Sequence, residues 1–127
     1  MTRILKSSGF IGLVTMMGVG IYQHFLAEGG AVPAWLVSGH AHLGVLSIFA
    51  IVLGLVVDFY GPTGNLRKAV TGLYVQGQWL LPLSLWVGIG FGVTILLPLV
   101  VVWGIGLILA MLLMFYHIGI NNPTPSV

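Results

Sequence analysis

The chain has 127 residues, 58% of them hydrophobic and 5% charged, with four Lys or Arg against two acids for a formal charge of +2. A soluble domain carries roughly a quarter charged residues, so this composition excludes a water-solvated globule and makes lipid the solvent for most of the surface. Four basic residues are too few for a nucleic-acid-binding face, and the lack of cysteine excludes disulfides, thiolate metal sites and cysteine nucleophiles.

A helix needs about 20 mostly apolar residues to cross a hydrocarbon core of roughly 30 Å. Four such segments follow one another within a single domain, residues 1–127. The start has the outline of a signal peptide, with Arg3 and Lys6 ahead of an apolar run. No small-x-small cleavage site closes that run, because Tyr22, Gln23 and His24 follow it, so it reads as a retained first span acting as a signal anchor. The first span covers 9–26 and ends at Glu28-Gly29-Gly30. The second covers 34–57 and is closed by Asp58 and the turn-forming run from Gly61 to Asn65. The third, 69–88, and the fourth, 93–118, are separated by a glycine-containing turn, which predicts an antiparallel hairpin. Pro82 and Pro98 are expected inside these two spans, bending both. Residues 121–127 read as a short disordered tail. The expected fold is therefore an all-α membrane protein, an antiparallel bundle of four transmembrane helices.

Arg3 and Lys6 precede the first span, and Arg67 and Lys68 precede the third. An even number of spans puts both pairs on one side. The positive-inside rule then predicts cytoplasmic N- and C-termini in a multi-pass protein of the plasma (inner) membrane. Glycines such as Gly12, Gly18, Gly20, Gly104 and Gly106 are expected to let helix backbones approach closely.

Polar side chains inside a membrane are costly and point to function. His24 falls near the outer end of the first span, and His40 and His42 lie in the second, within Ser38-Gly39-His40-Ala41-His42-Leu43-Gly44. At about 1.5 Å per residue, His42 lies roughly 12 Å below the outer boundary, and Gln76 and Gln78 of the third span reach a comparable depth. One layer thus collects His42, Gln76, Gln78 and His24. His40 and His42 differ by about 200° around one helix, so they cannot both face one iron from within it. Imidazole is a common axial ligand of haem, and helical bundles house such cofactors. It serves equally as a hydrogen-bonding group between helices, and Gln76 and Gln78 serve as glue in the same way. On the residues alone both readings stand. His117, at the end of the fourth span, suits an interfacial role. Trp35 and Trp86 fit an outer aromatic belt, whereas Trp79 and Trp103 lie deeper, where they suit a cofactor wall or plain packing. Glu28 and Asp58 fall at opposite faces, too far apart for a carboxylate pair. No phosphate loop, serine elbow or His-Glu-x-x-His motif is present.

Several landmarks occur together in order: Gly18-Val19-Gly20 then His24, Ala41-His42 then Gly44, Gly72 then Trp79, and Phe91-Gly92-Val93 with Leu96-Leu97-Pro98. In this they resemble styrene oxide isomerase. His-Ala-His-Leu-Gly also resembles a segment of subunit I of haem-copper oxidases. The resemblance implies a trimer of four-helix membrane subunits that binds haem b near subunit interfaces, with His42 as the axial ligand. It also implies ferric haem acting as a Lewis acid on a small lipophilic epoxide. The stretch from Leu80 to Leu85 departs from the family, which is more polar there, with Asn and Tyr.

Three hypotheses follow. The first is an isomerase-like haem b protein in which His24, Gln76, Gln78 and Trp79 line the pocket around His42, with His40 brought to a cofactor only at a subunit interface. The second is a bis-histidine haem protein for electrons or a gas, with His40 or His24 as second ligand. The third is a cofactor-free accessory subunit of a membrane complex.

Overall fold

The computed structural model describes residues 2–121 and 123–125. Of the expected tail, Asn122, Ser126 and Val127 lie outside the described residues, and 123–125 carry no regular structure. The described chain is helical throughout: α1 (Thr2–Gly29), α2 (Ala34–Tyr60), α3 (Gly64–Leu85) and α4 (Leu97–Phe115). A π-helical turn, Trp86–Gly90, extends α3, a 3₁₀ turn, Thr94–Leu96, leads into α4, and a second π turn, Tyr116–Ile120, extends it.

Three stretches are long and apolar enough to cross a membrane: Arg3–Gly29, Ala34–Tyr60 and Thr94–Ile120. The third expected span is not among them. Its helix, α3, carries Arg67, Lys68, Gln76 and Gln78, which lower its apolarity. Packing resolves the difference. α3 buries eight residues, from Val70 to Ser84, whereas α4 buries only Ala110 and Met114. The helix least suited to lipid is shielded by the others, and the most apolar one faces outward.

Local signals set the ends. α2 starts after Pro33 and stops at Gly61, whose φ of 58° is left-handed and whose N–H donates to the Val57 carbonyl at 3.1 Å. Glycine adopts that conformation without a Cβ clash. α1 begins well before residue 9, so Ser7 and Ser8 are helical. Pro98 lies inside the fourth apolar stretch as expected, but in the first turn of α4, where a missing N–H breaks no helical bond and gives no cause for a bend. Pro82 does lie inside α3.

Close glycine contacts join α1 to α2. Gly54 lies against Leu5 and Lys6, Gly9 against Ile51 and the Ser47 carbonyl, Gly44 against Met16, and Gly20 against His40. Positions rising along α1 therefore meet positions falling along α2. α3 and α4 pair in the same sense, with Leu73 near Gly106, Gly77 against Leu107, and Gly88 against Leu97. The core takes Leu5 from α1, Val57 from α2, Tyr74 from α3 and Met114 from α4.

Polar bonds hold the two ends and the middle. At one end Asp58 accepts from Lys6 Nζ at 2.7 Å and from Arg67 Nη2 at 3.4 Å, and His117 Nε2 donates to the Tyr60 carbonyl at 3.2 Å. At the other, the Leu36 carbonyl accepts from Gln23 Nε2 at 3.1 Å and from Trp86 Nε1 at 3.4 Å. In the middle Gln78, fully buried, takes a bond from Ser8 Oγ at 2.8 Å. Its Nε2 donates to the Ser8 carbonyl at 3.0 Å and to Ser47 Oγ at 3.1 Å.

Gly12 makes this central knot possible, since a Cβ there would fall on Ser47 Oγ and 2.7 Å from Gln78 Nε2. Gly12→Leu is expected to destabilise the protein in detergent by about 1–3 kcal/mol. Gly18→Leu, at a position with nothing within 4 Å, should melt like the parent. Equal losses at both positions would show that close approach at Gly12 does not limit packing.

Candidate functional site: the two faces of α2

Helical geometry sends His40 and His42 to different sides of α2. His40 turns to α1, with its ring 3.2 Å from where a Gly20 Cβ would be. Its Nδ1 is buried and has no hydrogen-bond partner. His42 is exposed on the outer face. Its Nδ1 lies 2.8 Å from the carbonyl of Ser38, one turn earlier. A carbonyl can only accept, so the proton sits on Nδ1 and the lone pair on Nε2. This is the arrangement in which an imidazole is oriented to bind a metal through Nε2.

The surface around His42 is apolar. A shallow groove of about 260 Å³ is lined by Ala41, His42, Val45 and Leu46. Leu46 also borders a larger groove of about 420 Å³ between α2 and α4, lined by residues that include Phe49, Tyr74, Leu107, Met111 and Phe115. Tyr74 donates its hydroxyl proton to the Leu46 carbonyl at 3.0 Å, which leaves that groove almost wholly hydrocarbon. No acid or second base lines either groove.

The remaining expected site residues do not gather around His42. His24 is exposed on α1 and sits 3.5 Å from Glu28, one turn on. Gln78 belongs to the buried knot with Ser8 and Ser47. Trp79 donates its indole N–H to Ser8 Oγ at 2.8 Å on the α1–α3 seam. Gln76 is exposed and lines a groove with Leu73, Trp103 and Gly106. Among the described residues no three His, Asp or Glu side chains cluster as a metal-ion site.

Ser8, Ser38 and Asp58 carry more of the polar architecture than the sequence suggested. Ser38 was legible, since it stands four residues before His42 on one helical face. Ser8 was not, because its partners are 70 and 71 residues away.

Apolar helices of membrane length, a polar knot at the centre and one oriented imidazole on the outer face define an all-helical protein of membrane type. The chain belongs to the family described as a domain of unknown function, DUF8059, whose model matches residues 1–126. Neither the comparison with curated proteins nor that with solved structures gives a match.

The chain has no cysteine, so single substitutions report the two faces cleanly. His42→Cys in detergent is expected to react readily with a lipid-soluble maleimide, and His40→Cys at least several-fold more slowly. Equal rates would place both side chains on one accessible surface.

Proposed function

We propose that this protein is a membrane-embedded haem b protein, with His42 Nε2 as axial ligand of the iron on the outer face of α2. The observation that carries the reading is the bond from His42 Nδ1 to the Ser38 carbonyl at 2.8 Å. It holds the ring and its tautomer so that Nε2 is left for a metal. A lone imidazole cannot complete a metal site built from side chains, but it suits a metal carried in a macrocycle that supplies four nitrogens of its own. The two grooves that meet at Leu46 would offer such a group an apolar surface.

The same geometry favours a single axial ligand per chain. His40 is turned against Gly20 on α1, His24 pairs with Glu28, and His117 is bonded to Tyr60. That would leave the group accessible to a small lipophilic ligand, with a second copy of the chain beside it. This is how a homo-oligomer, as the trimer implied by the resemblance, would use an outward histidine. When bound, the haem would supply Lewis-acid chemistry, which is suited to isomerising a small lipophilic epoxide. The chain's own part is to orient Nε2, hold the proton on Nδ1 and exclude water with Ala41, Val45 and Leu46.

The accompanying membrane reading is an antiparallel four-span bundle of the plasma membrane, with both termini cytoplasmic. Lys6, Arg67, Asp58 and His117 at one end support it, since they bring all the basic helix ends together.

Protein made in haem-replete cells is expected to purify with a Soret band that His42→Ala largely abolishes and His40→Ala retains. Parent protein without a Soret band would overturn the haem reading. For orientation, Ala31→Cys should be labelled by an impermeant maleimide in intact cells, and Thr63→Cys only after permeabilisation. The reverse pattern would invert the topology.

A further inference from the structure

The seam between the start of α1 and α3 carries two adjoining grooves that the haem reading does not use. One, of about 390 Å³, is lined by Arg3, Ile4, Ser7, Ser8, Ile11 and Trp79. The other, of about 320 Å³, is lined by Ile4, Lys68, Thr71, Gly72, Val75 and Gln76. Ile4 borders both.

Charge along this seam is unbalanced. Asp58 is committed to Lys6 and Arg67, and Glu28 lies at the far end of α1 beside His24. Arg3 and Lys68 therefore have no carboxylate partner among the described residues. Beside Lys68 in the second groove stands Thr71, 5% exposed, whose hydroxyl is buried without a hydrogen-bond partner. Leaving a buried hydroxyl unpaired is unfavourable, so an acceptor is missing from the seam. Further in, the lining is mostly apolar, with Ile11, Val75 and the ring of Trp79, whose N–H is already given to Ser8, and with Gln76 as the polar exception.

We propose that this seam binds an anionic phospholipid. The phosphate lies between Arg3 and Lys68 and accepts from the Thr71 hydroxyl, and an acyl chain runs along Ile11, Val75 and Trp79. The order of cations, then a hydroxyl donor, then hydrocarbon follows the order of headgroup, glycerol region and chain in a lipid. Basic pockets between membrane helices bind anionic headgroups in this way. The assignment is independent of any haem on α2.

The test is native mass spectrometry of the full chain in detergent, with phosphatidylglycerol and phosphatidylcholine of identical acyl chains at equal concentration. The parent is expected to retain phosphatidylglycerol preferentially. Lys68→Gln should weaken that binding about five-fold and leave phosphatidylcholine unchanged. Thr71→Val keeps the side chain's shape and removes its hydroxyl, so it should also lower the preference, with an unchanged melting temperature showing that the fold is intact. Equal retention of the two lipids by the parent would overturn the proposal. A preference that survives in both variants would overturn it too, since charge elsewhere would then be responsible. Displacement of the lipid by excess inorganic phosphate would replace it with a free-phosphate site.

Discussion

The carboxamide of Gln78 is the junction on which the rest of the packing depends. It is fully buried on α3 and bonds to the side chain and carbonyl of Ser8 on α1 and to the hydroxyl of Ser47 on α2. In a medium without water such a group must find its partners within the protein. Three helices must therefore meet at one height, and the meeting point must be small. Gly9 and Gly12 supply the room: a Cβ on either would run into α2 within van der Waals distance. α1 and α2 are thereby fixed in register, and α3 is drawn in beside them.

This requirement explains how the surface is divided. Once α3 is committed to the centre, α4 has one flank to cover and needs few buried positions of its own. Its remaining surface, with exposed Ile105, Ile108, Leu112 and Phe115, is hydrocarbon. α2 is held on its inner side by Leu43, Gly44, Ser47 and Leu53. The opposite side then shows Val45, Ile48, Phe49 and Val52, with His42 as a polar exception among them. The histidine is outward because the inward stripe of α2 is already spent on the knot.

How much of this was legible in the sequence differs by level. The turns were, because Gly29-Gly30, Gly61-Pro62 and the glycines around residue 90 stop helices by local backbone rules. The divergence of His40 and His42 was also legible, from angle alone. The partners of Gln76 and Gln78 were not. A soluble helix advertises its inner face by alternating apolar and polar residues, but a helix bathed in lipid is apolar all round and carries no such stripe. Depth placed both glutamines in one layer with His42, whereas rotation put Gln78 in the core and Gln76 on the surface. Ser8 was invisible for a further reason: α1 begins earlier than its apolar run, so a residue assigned to the flank is in fact part of the packed helix.

The two unusual features, an outward imidazole and an orphaned threonine, follow from one physical asymmetry. Inside the protein nearly every polar group has a partner on another helix, and the exceptions among the described residues are His40 Nδ1, Arg67 Nε and Thr71 Oγ1. A polar group cut off from water, by lipid or by burial, keeps its cost until something binds it. His42 has satisfied one ring nitrogen locally and keeps the other on a hydrocarbon face. Thr71 shares a groove with Lys68 and has no acceptor. The needs are chemically opposite, a lone pair on one side and hydrogen-bond donors on the other. On the functions proposed above, a metal in an apolar ring would answer the first and an anionic headgroup would answer the second. Neither would answer both, so the two proposals assign the outer face of α2 and the α1–α3 seam to separate ligands.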